Sequence, residues 1–399
     1  MSDFDSTDVE KTMDRLYQEI LPLYRQLHAY VRRRLVEFYQ HRDLDVNGSI
    51  PAHLLGDMWA QDWTSIVDIV LPSDEYKQSN LNAALRRAGY SVRKMVRLAE
   101  EFLTSLGLDR MPVDFWRKSV FVRPDDGRMM DCHASAHDFF ALTDFRVKMC
   151  AAVTVGDLQT IHHELGHVTY FMQYRHQPAL FRTGANAAFH EAVGDTVTMS
   201  VMSPQHWTSV VLGRRLPAPR SKHLPETDVS FLLRMALSRV ALLPYAYVLE
   251  KWRYEVYRGD VTPSQYNSRY WQLRQQYAGV RPPVSRDGQD FDPGAKFHVA
   301  ANIPYSRYFV SAVMQFQLHA ALCRSKRQTA QLHQCDIYRS PAAGNRLKHV
   351  MSLGASQPWP DVMKLVTGYR DIRADRMLEY FRPLTAWLRL QNRGHHVGW

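Results

Sequence analysis

From Leu16 through Ile20, Leu23, Leu27, Tyr30 or Val31, Leu35 and Phe38, apolar residues recur every three or four positions with polar residues between them. That spacing predicts an amphipathic helix of about thirty residues that ends before Gly48. The same period runs through Leu81 to Leu106, Asp157 to Tyr174, Phe189 to Met202, Val229 to Tyr257, Pro263 to Tyr277, Pro304 to Cys323 and Ala374 to Leu390. Strand signals are few. Ser119-Val120-Phe121-Val122 and Met129 to Ala134 flank the turn sequence Pro124-Asp125-Asp126-Gly127, which reads as one hairpin. The fold class that follows is mainly α, with a minor antiparallel hairpin. Proline-rich loops at Leu216 to Pro225 and Arg281 to Gly294 show no change of composition on their two sides, and no repeat or linker is visible. Residues 1–399 therefore read as one large domain.

With 45 % of residues apolar and 23 % charged, the chain has the make-up of a folded protein rather than a disordered, collagen-like or low-complexity one. No run of about 18 uncharged apolar residues occurs, so no membrane span is expected. The net charge of +10 would suit an anionic partner only if the excess were clustered. Basic residues are scattered instead, with short runs at Arg32-Arg33-Arg34 and around Arg214, Arg215, Arg220 and Lys222, which read as solvated faces and not as a nucleic-acid patch. The segment Met1-Ser2-Asp3-Phe4-Asp5 lacks the basic-then-apolar order of a secretory signal. Four cysteines, at 132, 150, 323 and 335, form two locally spaced pairs; spacing alone leaves two short-loop disulfides and four free thiols equally open. Asn47-Gly48-Ser49 is a glycosylation acceptor pattern and leans toward secretion.

The chemistry is carried by His162-His163-Glu164-Leu165-Gly166-His167, a His-Glu-x-x-His pattern inside a helical segment. Four residues apart, His163 and His167 lie one turn above the other on one face, so both imidazoles can reach a single ion while Glu164 flanks its open position. The five-residue pattern also arises by chance, and a catalytic zinc needs a third protein ligand. Phe189-His190-Glu191-Ala192-Val193-Gly194-Asp195, on the next helical segment, offers Glu191 as that ligand and Asp195 to accept the second N–H of a ligating imidazole. Three ligands and water define a catalytic site, in which Zn2+ polarises a carbonyl and Glu164 takes up a proton and delivers it to the leaving amine. Amide hydrolysis is the reaction this predicts.

Taken in order, Pro51-Ala52-His53-Leu54-Leu55-Gly56, Cys132-His133-Ala134-Ser135-Ala136, His162 to His167, Glu191 to Asp195, Phe291 to His298 and Tyr308-Phe309-Val310 resemble the angiotensin-converting enzyme family of zinc dipeptidyl carboxypeptidases. The resemblance covers nearly the whole chain. It implies a helical gluzincin-type peptidase domain in which His298 and Tyr308 donate to the oxygen that turns negative in the tetrahedral intermediate. By the same resemblance, His133 and Ala134 bond the substrate backbone, and Gln61, Lys296 and Tyr305 grip its free C-terminal carboxylate. One branch of the family has an Arg where Gln61 stands and removes single residues, so glutamine favours dipeptide release. The resemblance also implies disulfides Cys132–Cys150 and Cys323–Cys335, hence an oxidising, extracellular location, with a cytoplasmic one as the alternative.

Arg307 resembles the cationic half of a chloride site whose family partner, a Tyr, aligns with Phe4. At a second chloride site Arg274 is retained, Tyr270 stands for a Trp, and the remaining Arg would precede this chain. Chloride is thus a candidate activator. Family catalytic domains begin with further helices that form a lid, and the chain reads as shortened at that end. Without a lid it would be expected to expose apolar surface and to associate with another subunit, which leaves the oligomeric state open. His137, Asp62, Thr160 and Ala312 stand where the family has Trp, Thr, an apolar residue and Phe. The leading expectation is a peptidyl-dipeptidase acting on oligopeptides with a free C-terminus. Its alternatives are a weak or inactive relative that binds peptides or a partner, and a single-residue metallocarboxypeptidase.

Overall fold

The computed structural model describes residues 6–40, 44–72, 78–213, 226–326 and 331–399. Its longer helices, in chain order, are α1 (Ser6–Tyr39), α2 (Gln78–Arg87), α3 (Val92–Ser105), α4 (Val155–Tyr174), α5 (Ala187–Val201), α6 (Glu226–Arg258), α7 (Tyr266–Leu273), α8 (Ser306–Ser325), α9 (Pro341–Ser352), α10 (Trp359–Thr367) and α11 (Arg382–Gln391). The strands are β1 (Ile50–Pro51), β2 (Ser135–Asp138), β3 (Phe145–Lys148) and β4 (Val280–Arg281). The fold is mainly α, as the periodicity predicts. The chain divides into two compact units, residues 1–77, 221–312 and 377–399 in one, residues 78–220 and 313–376 in the other. Phe4, the basic run at Arg214, Arg215, Arg220 and Lys222, and the loop 216–225 lie outside the described residues.

In the first unit α1 packs against α6 and α11. The stripe read from the sequence is buried: Leu16, Ile20, Leu23, Leu27, Val31 and Leu35 are each no more than 2 % exposed, as are Tyr24, His28 and Arg32 beside them, while Phe38, at the helix end, is left in solvent. Each buried Leu, Ile or Val is worth about 1.5–3 kcal/mol, which is what holds so long a helix to the unit. By length and composition the segment Asp228–Arg258 of α6 could cross a membrane, but 78 % of its apolar window is buried inside the fold, as in a core helix. The periodic stretch from Pro263 is helical as expected, opening with a 3-10 turn over Pro263–Gln265, continuing as α7 and widening to a π-helical turn, Arg274–Ala278, that ends where Gly279 takes φ 60°. The Gly279 carbonyl then accepts the Ile50 N–H at 2.9 Å, beside a short parallel pairing of β1 with β4.

In the second unit α4 is the central element, contacted by α5, α3, α9 and the β2–β3 hairpin. The helix expected over Leu81 to Leu106 is broken into α2 and α3. Gly89 takes φ 68° there, and the Ser91 hydroxyl accepts the Lys94 N–H at 3.2 Å, so a turn and a new cap are cheaper than a continuous helix. α9 and α10 are not among the helices that the periodicity predicts.

The predicted hairpin is a correction. Residues 119–122 and 129–134 do not pair with one another; the antiparallel pair is β2 with β3, Ser135 opposite Lys148 and Asp138 opposite Phe145. Val120 makes only a single bridge to Lys148. The turn chemistry that matters is Phe139 to Asp144, where Phe140 and Leu142 take positive φ without glycine, a conformation composition does not advertise. Cys132–Cys150 clasps the two ends of this hairpin and Cys323–Cys335 ties the end of α8 to the following loop; no cysteine is free.

Candidate metal centre and carboxylate pocket

In the second unit α4 starts at Thr154, whose hydroxyl accepts the Asp157 N–H at 3.0 Å, and this cap sets the phase of everything downstream. His163 and His167 then stand one turn apart with ring planes at 90° and their Nε2 atoms 2.9 Å from each other. Glu191 comes from α5, its Oε2 3.4 Å from His163 Nε2 and 3.8 Å from His167 Nε2. What brings α5 this close is a crossing of two glycines. A Cβ on Gly166 would sit 2.7 Å from Gly194 Cα, and one on Gly194 would sit 2.9 Å from both Nδ1 and the carbonyl oxygen of His163. No motif marks these glycines, although each stands three residues after a ligand candidate, His163 or Glu191.

The cluster fits a cation on its own chemistry. His163 Nδ1 faces Asp195 Oδ1 at 3.0 Å and His167 Nδ1 faces His190 Nδ1 at 2.8 Å. With hydrogens on both Nδ1 atoms, two Nε2 lone pairs and a carboxylate oxygen converge on one point, which only positive charge between them makes favourable. Ligand atoms of one tetrahedral Zn2+ lie about 3.3 Å apart, from bonds of about 2.0–2.1 Å; the observed 2.9, 3.4 and 3.8 Å bracket that value. The electrostatics agree: burial alone would keep His163 neutral, but the Asp195 and Glu191 carboxylates push it up to about 10. Glu164 is buried, its Oε2 without a hydrogen-bond partner, and burial pushes its carboxyl up to about 7, opposed by His163 and helped by Glu191. A carboxylate so placed can take a proton and give it back near neutral pH.

β2 and β3 pack on α4. His133 and Ala134 immediately precede β2, whose outer edge carries no strand among the described residues. His137, where the family has Trp, bonds the Ser135 hydroxyl at 2.9 Å, and Thr160 bonds back to the Gly156 carbonyl.

The other predicted residues gather in the first unit. Gln61 Oε1 accepts from Lys296 Nζ at 2.9 Å and from the Tyr305 hydroxyl at 3.0 Å. The loop carrying Gln61 is tied by Asp57, whose carboxylate accepts the N–H groups of Trp59, Gln61 and Asp62. Asp62 in turn holds Thr64 and Ser238, a structural use of the residue. Lys296 is only 7 % exposed and its ammonium lies 4.3 Å over the Trp59 ring and 5.4 Å from that of Tyr305. Burial lowers it to about 8, with Asp57 opposing. A buried ammonium grouped with a hydroxyl and an amide suits a carboxylate. Trp59 and Asp57 carry no motif, which is why the sequence did not reveal them. His298 Nε2 lies 3.0 Å from the Tyr308 hydroxyl, and both rings pack against Tyr305, His298 edge-on at 5.0 Å and Tyr308 tilted at 4.7 Å, so the pair adjoins the Gln61, Lys296 and Tyr305 group.

Arg307 is half-buried and its Nε has no hydrogen-bond partner. Arg274 is buried more deeply: its Nη2 donates to the Trp59 carbonyl at 3.0 Å and its guanidinium lies 4.9 Å from the Tyr245 ring, while Nε and Nη1 are unpaired.

A two-histidine, one-carboxylate cation site flanked by a buried carboxylate base, all on two crossing helices, is the layout of a hydrolytic metalloprotein. The family model described as angiotensin-converting enzyme (Peptidase_M2) matches residues 1–399, and the chain belongs to that family. It is 47 % identical over 398 residues to the angiotensin-converting enzyme of Mus musculus, an alignment that covers 99 % of this chain and 30 % of that protein. To the enzyme of Mesocricetus auratus it is 46 % identical over 400 residues, with 100 % and 30 % covered. To the angiotensin-converting enzyme-like protein Ace3 of Mus musculus it is 42 % identical over 400 residues, with 100 % and 54 % covered. The chain thus spans less than two thirds of the length of each of these relatives.

Proposed function

We propose that this chain is a zinc metallopeptidase that releases dipeptides from the free C-terminus of oligopeptides, the two compact units serving as one catalytic domain. The observation that carries the reading is the convergence of His163 Nε2, His167 Nε2 and Glu191 Oε2 beside the buried carboxyl of Glu164. His163, His167 and Glu191 would hold Zn2+, which supplies a polarised carbonyl and a water that is nucleophilic at neutral pH. Glu164 takes the proton from the attacking water and hands it to the leaving nitrogen; Asp195 keeps His163 in the tautomer that presents Nε2. His298 and Tyr308 donate to the developing oxyanion. Gln61, Lys296 and Tyr305 read the free C-terminus, and His133 and Ala134 bond the substrate backbone along the open edge that leads into β2.

The two disulfides and the exposed turn at Asn47 support a secreted, glycosylated product. A chloride activator finds more support at Arg274 than at Arg307, because Arg274 is a buried guanidinium with two unpaired nitrogens.

The test is mass spectrometry of products from short peptides, with and without a chelator. Dipeptides should appear only in the absence of chelator, and Glu164→Gln should lower kcat by at least about 100-fold while leaving the zinc content unchanged. Single amino acids as the sole products would remove the dipeptidyl part. A wild-type chain without bound transition metal would remove the reaction altogether.

A further inference from the structure

The cluster backs its two imidazoles differently. His163 leans on the Asp195 carboxylate, but His167 leans on another imidazole, its Nδ1 lying 2.8 Å from Nδ1 of His190. At that separation two ring nitrogens share one hydrogen, so one ring donates and the other accepts. If His167 gives its Nε2 lone pair to a cation, the shared hydrogen sits on His167 Nδ1. His190 must then accept at Nδ1 and carry its own hydrogen on Nε2, and Nε2 lies 3.3 Å from an acceptor, the Tyr174 hydroxyl.

The ring of His190 is fixed in that role. It stacks on Tyr170 at 4.6 Å and 27°, and the Phe171 ring lies 4.9 Å away. Gly184 clears the space behind it: a Cβ there would come within 3.3 Å of His190 Cδ2. Tyr170, Phe171 and Tyr174 all belong to α4, so the helix that presents the two histidines also builds the wall against which His190 rests. His190 itself is the residue before Glu191 on α5. One helix therefore delivers a ligand with Glu191 and braces another with His190. The acceptor is uncharged, which leaves Glu191 and Asp195 as the two carboxylates that contact the imidazole pair.

We propose that His190 is a positioning residue: it accepts the Nδ1–H of His167, fixes that ring's tautomer and direction, and thereby sets how tightly the centre holds its cation. The inference rests on the metal reading above and adds to it a residue that never touches the ion. It is tested on the full chain by competition for Zn2+ with a chromogenic chelator, in wild type, His190→Phe and His190→Asn, with circular-dichroism melting of each. Phenylalanine keeps the stacking shape without the acceptor; asparagine restores an acceptor close to the Nδ1 position. His190→Phe should weaken Zn2+ binding by about 10- to 100-fold, the usual effect of removing such a partner, and His190→Asn should recover most of it. A folded His190→Phe chain that binds Zn2+ as tightly as wild type, or a His190→Asn chain as weak as His190→Phe, overturns the inference. Should His190→Phe not fold, 15N spectra of the Zn2+-loaded wild type decide: hydrogen on His190 Nε2 supports the relay, and hydrogen on His190 Nδ1 overturns it. Failure of wild type to bind Zn2+ at all is a different result, and removes the metal reading itself.

Discussion

Raising the pH should loosen the proposed grip on a free C-terminus, because that grip depends on a lysine whose charge is only marginally held. Lys296 is lowered by burial from its ordinary value to about 8. Its neighbours are the Gln61 amide oxygen and the rings of Trp59, Tyr305 and Tyr245, which stabilise the ammonium far less than water does. The cation is the binding form, so affinity for a carboxylate is full below this value and is lost as pH rises through it. With half-titration at about 8, the charged fraction drops about tenfold between pH 7 and pH 9, and the inhibition constant of a carboxylate ligand should rise by about that factor. The assay is competitive inhibition by an N-acetylated dipeptide, which has no titrating amine of its own, against the same dipeptide amidated at its C-terminus. Only the free acid should lose affinity with pH, and Lys296→Met should abolish the difference between the two. The same burial has a cost in the free protein. The unfolded chain binds the lysine proton more tightly than the folded one between about pH 8 and 10.5, so folding stability rises with pH across that window and Lys296→Met should melt higher than wild type near neutrality. Equal pH profiles for the acid and the amide would refute the reasoning, whatever the enzyme's activity.

The glycine crossing offers a second perturbation. Gly194→Ala would place a methyl 2.9 Å from both Nδ1 and the carbonyl oxygen of His163; forcing α5 away should cost about 1–3 kcal/mol and reduce bound zinc, and unchanged melting together with unchanged zinc content would show that the approach is slack. Chloride should raise kcat/KM in wild type, and Arg274→Gln should flatten that response. A response that survives in Arg274→Gln would move the anion elsewhere, with Arg307→Gln as the next variant.

Much of this protein was written locally. The three-four spacing of α1 named one stripe of what it buries, because apolar period shows on a helix face, but from Leu27 to Arg32 the helix is buried all round, His28 and Arg32 included, which the apolar pattern does not show. His163, Glu164 and His167 declared themselves because four residues on a helix make one turn, whatever the helix packs against. Glu191 and Asp195 could be proposed because they recur at the same spacing on the next helix.

Where local preference and packing compete, the sequence said less. Pro124-Asp125-Asp126-Gly127 has the better turn composition and predicts a hairpin there, yet it is β2 and β3 that pair, closing through Phe140 and Leu142 at positive φ under the clasp of Cys132–Cys150. Gly166 and Gly194 looked like ordinary helix glycines until the two helices crossed there. His190, Trp59 and Asp57 belong to no motif; each acts on a residue that does, at a distance set by folding. The chain alone therefore determined which atoms could hold a cation and which helices would carry them, because both depend on backbone period. Only the tertiary structure decided how closely those helices approach, which ring braces His167 and how weakly Lys296 keeps its proton, because these depend on what the rest of the chain leaves beside each side chain once water is gone.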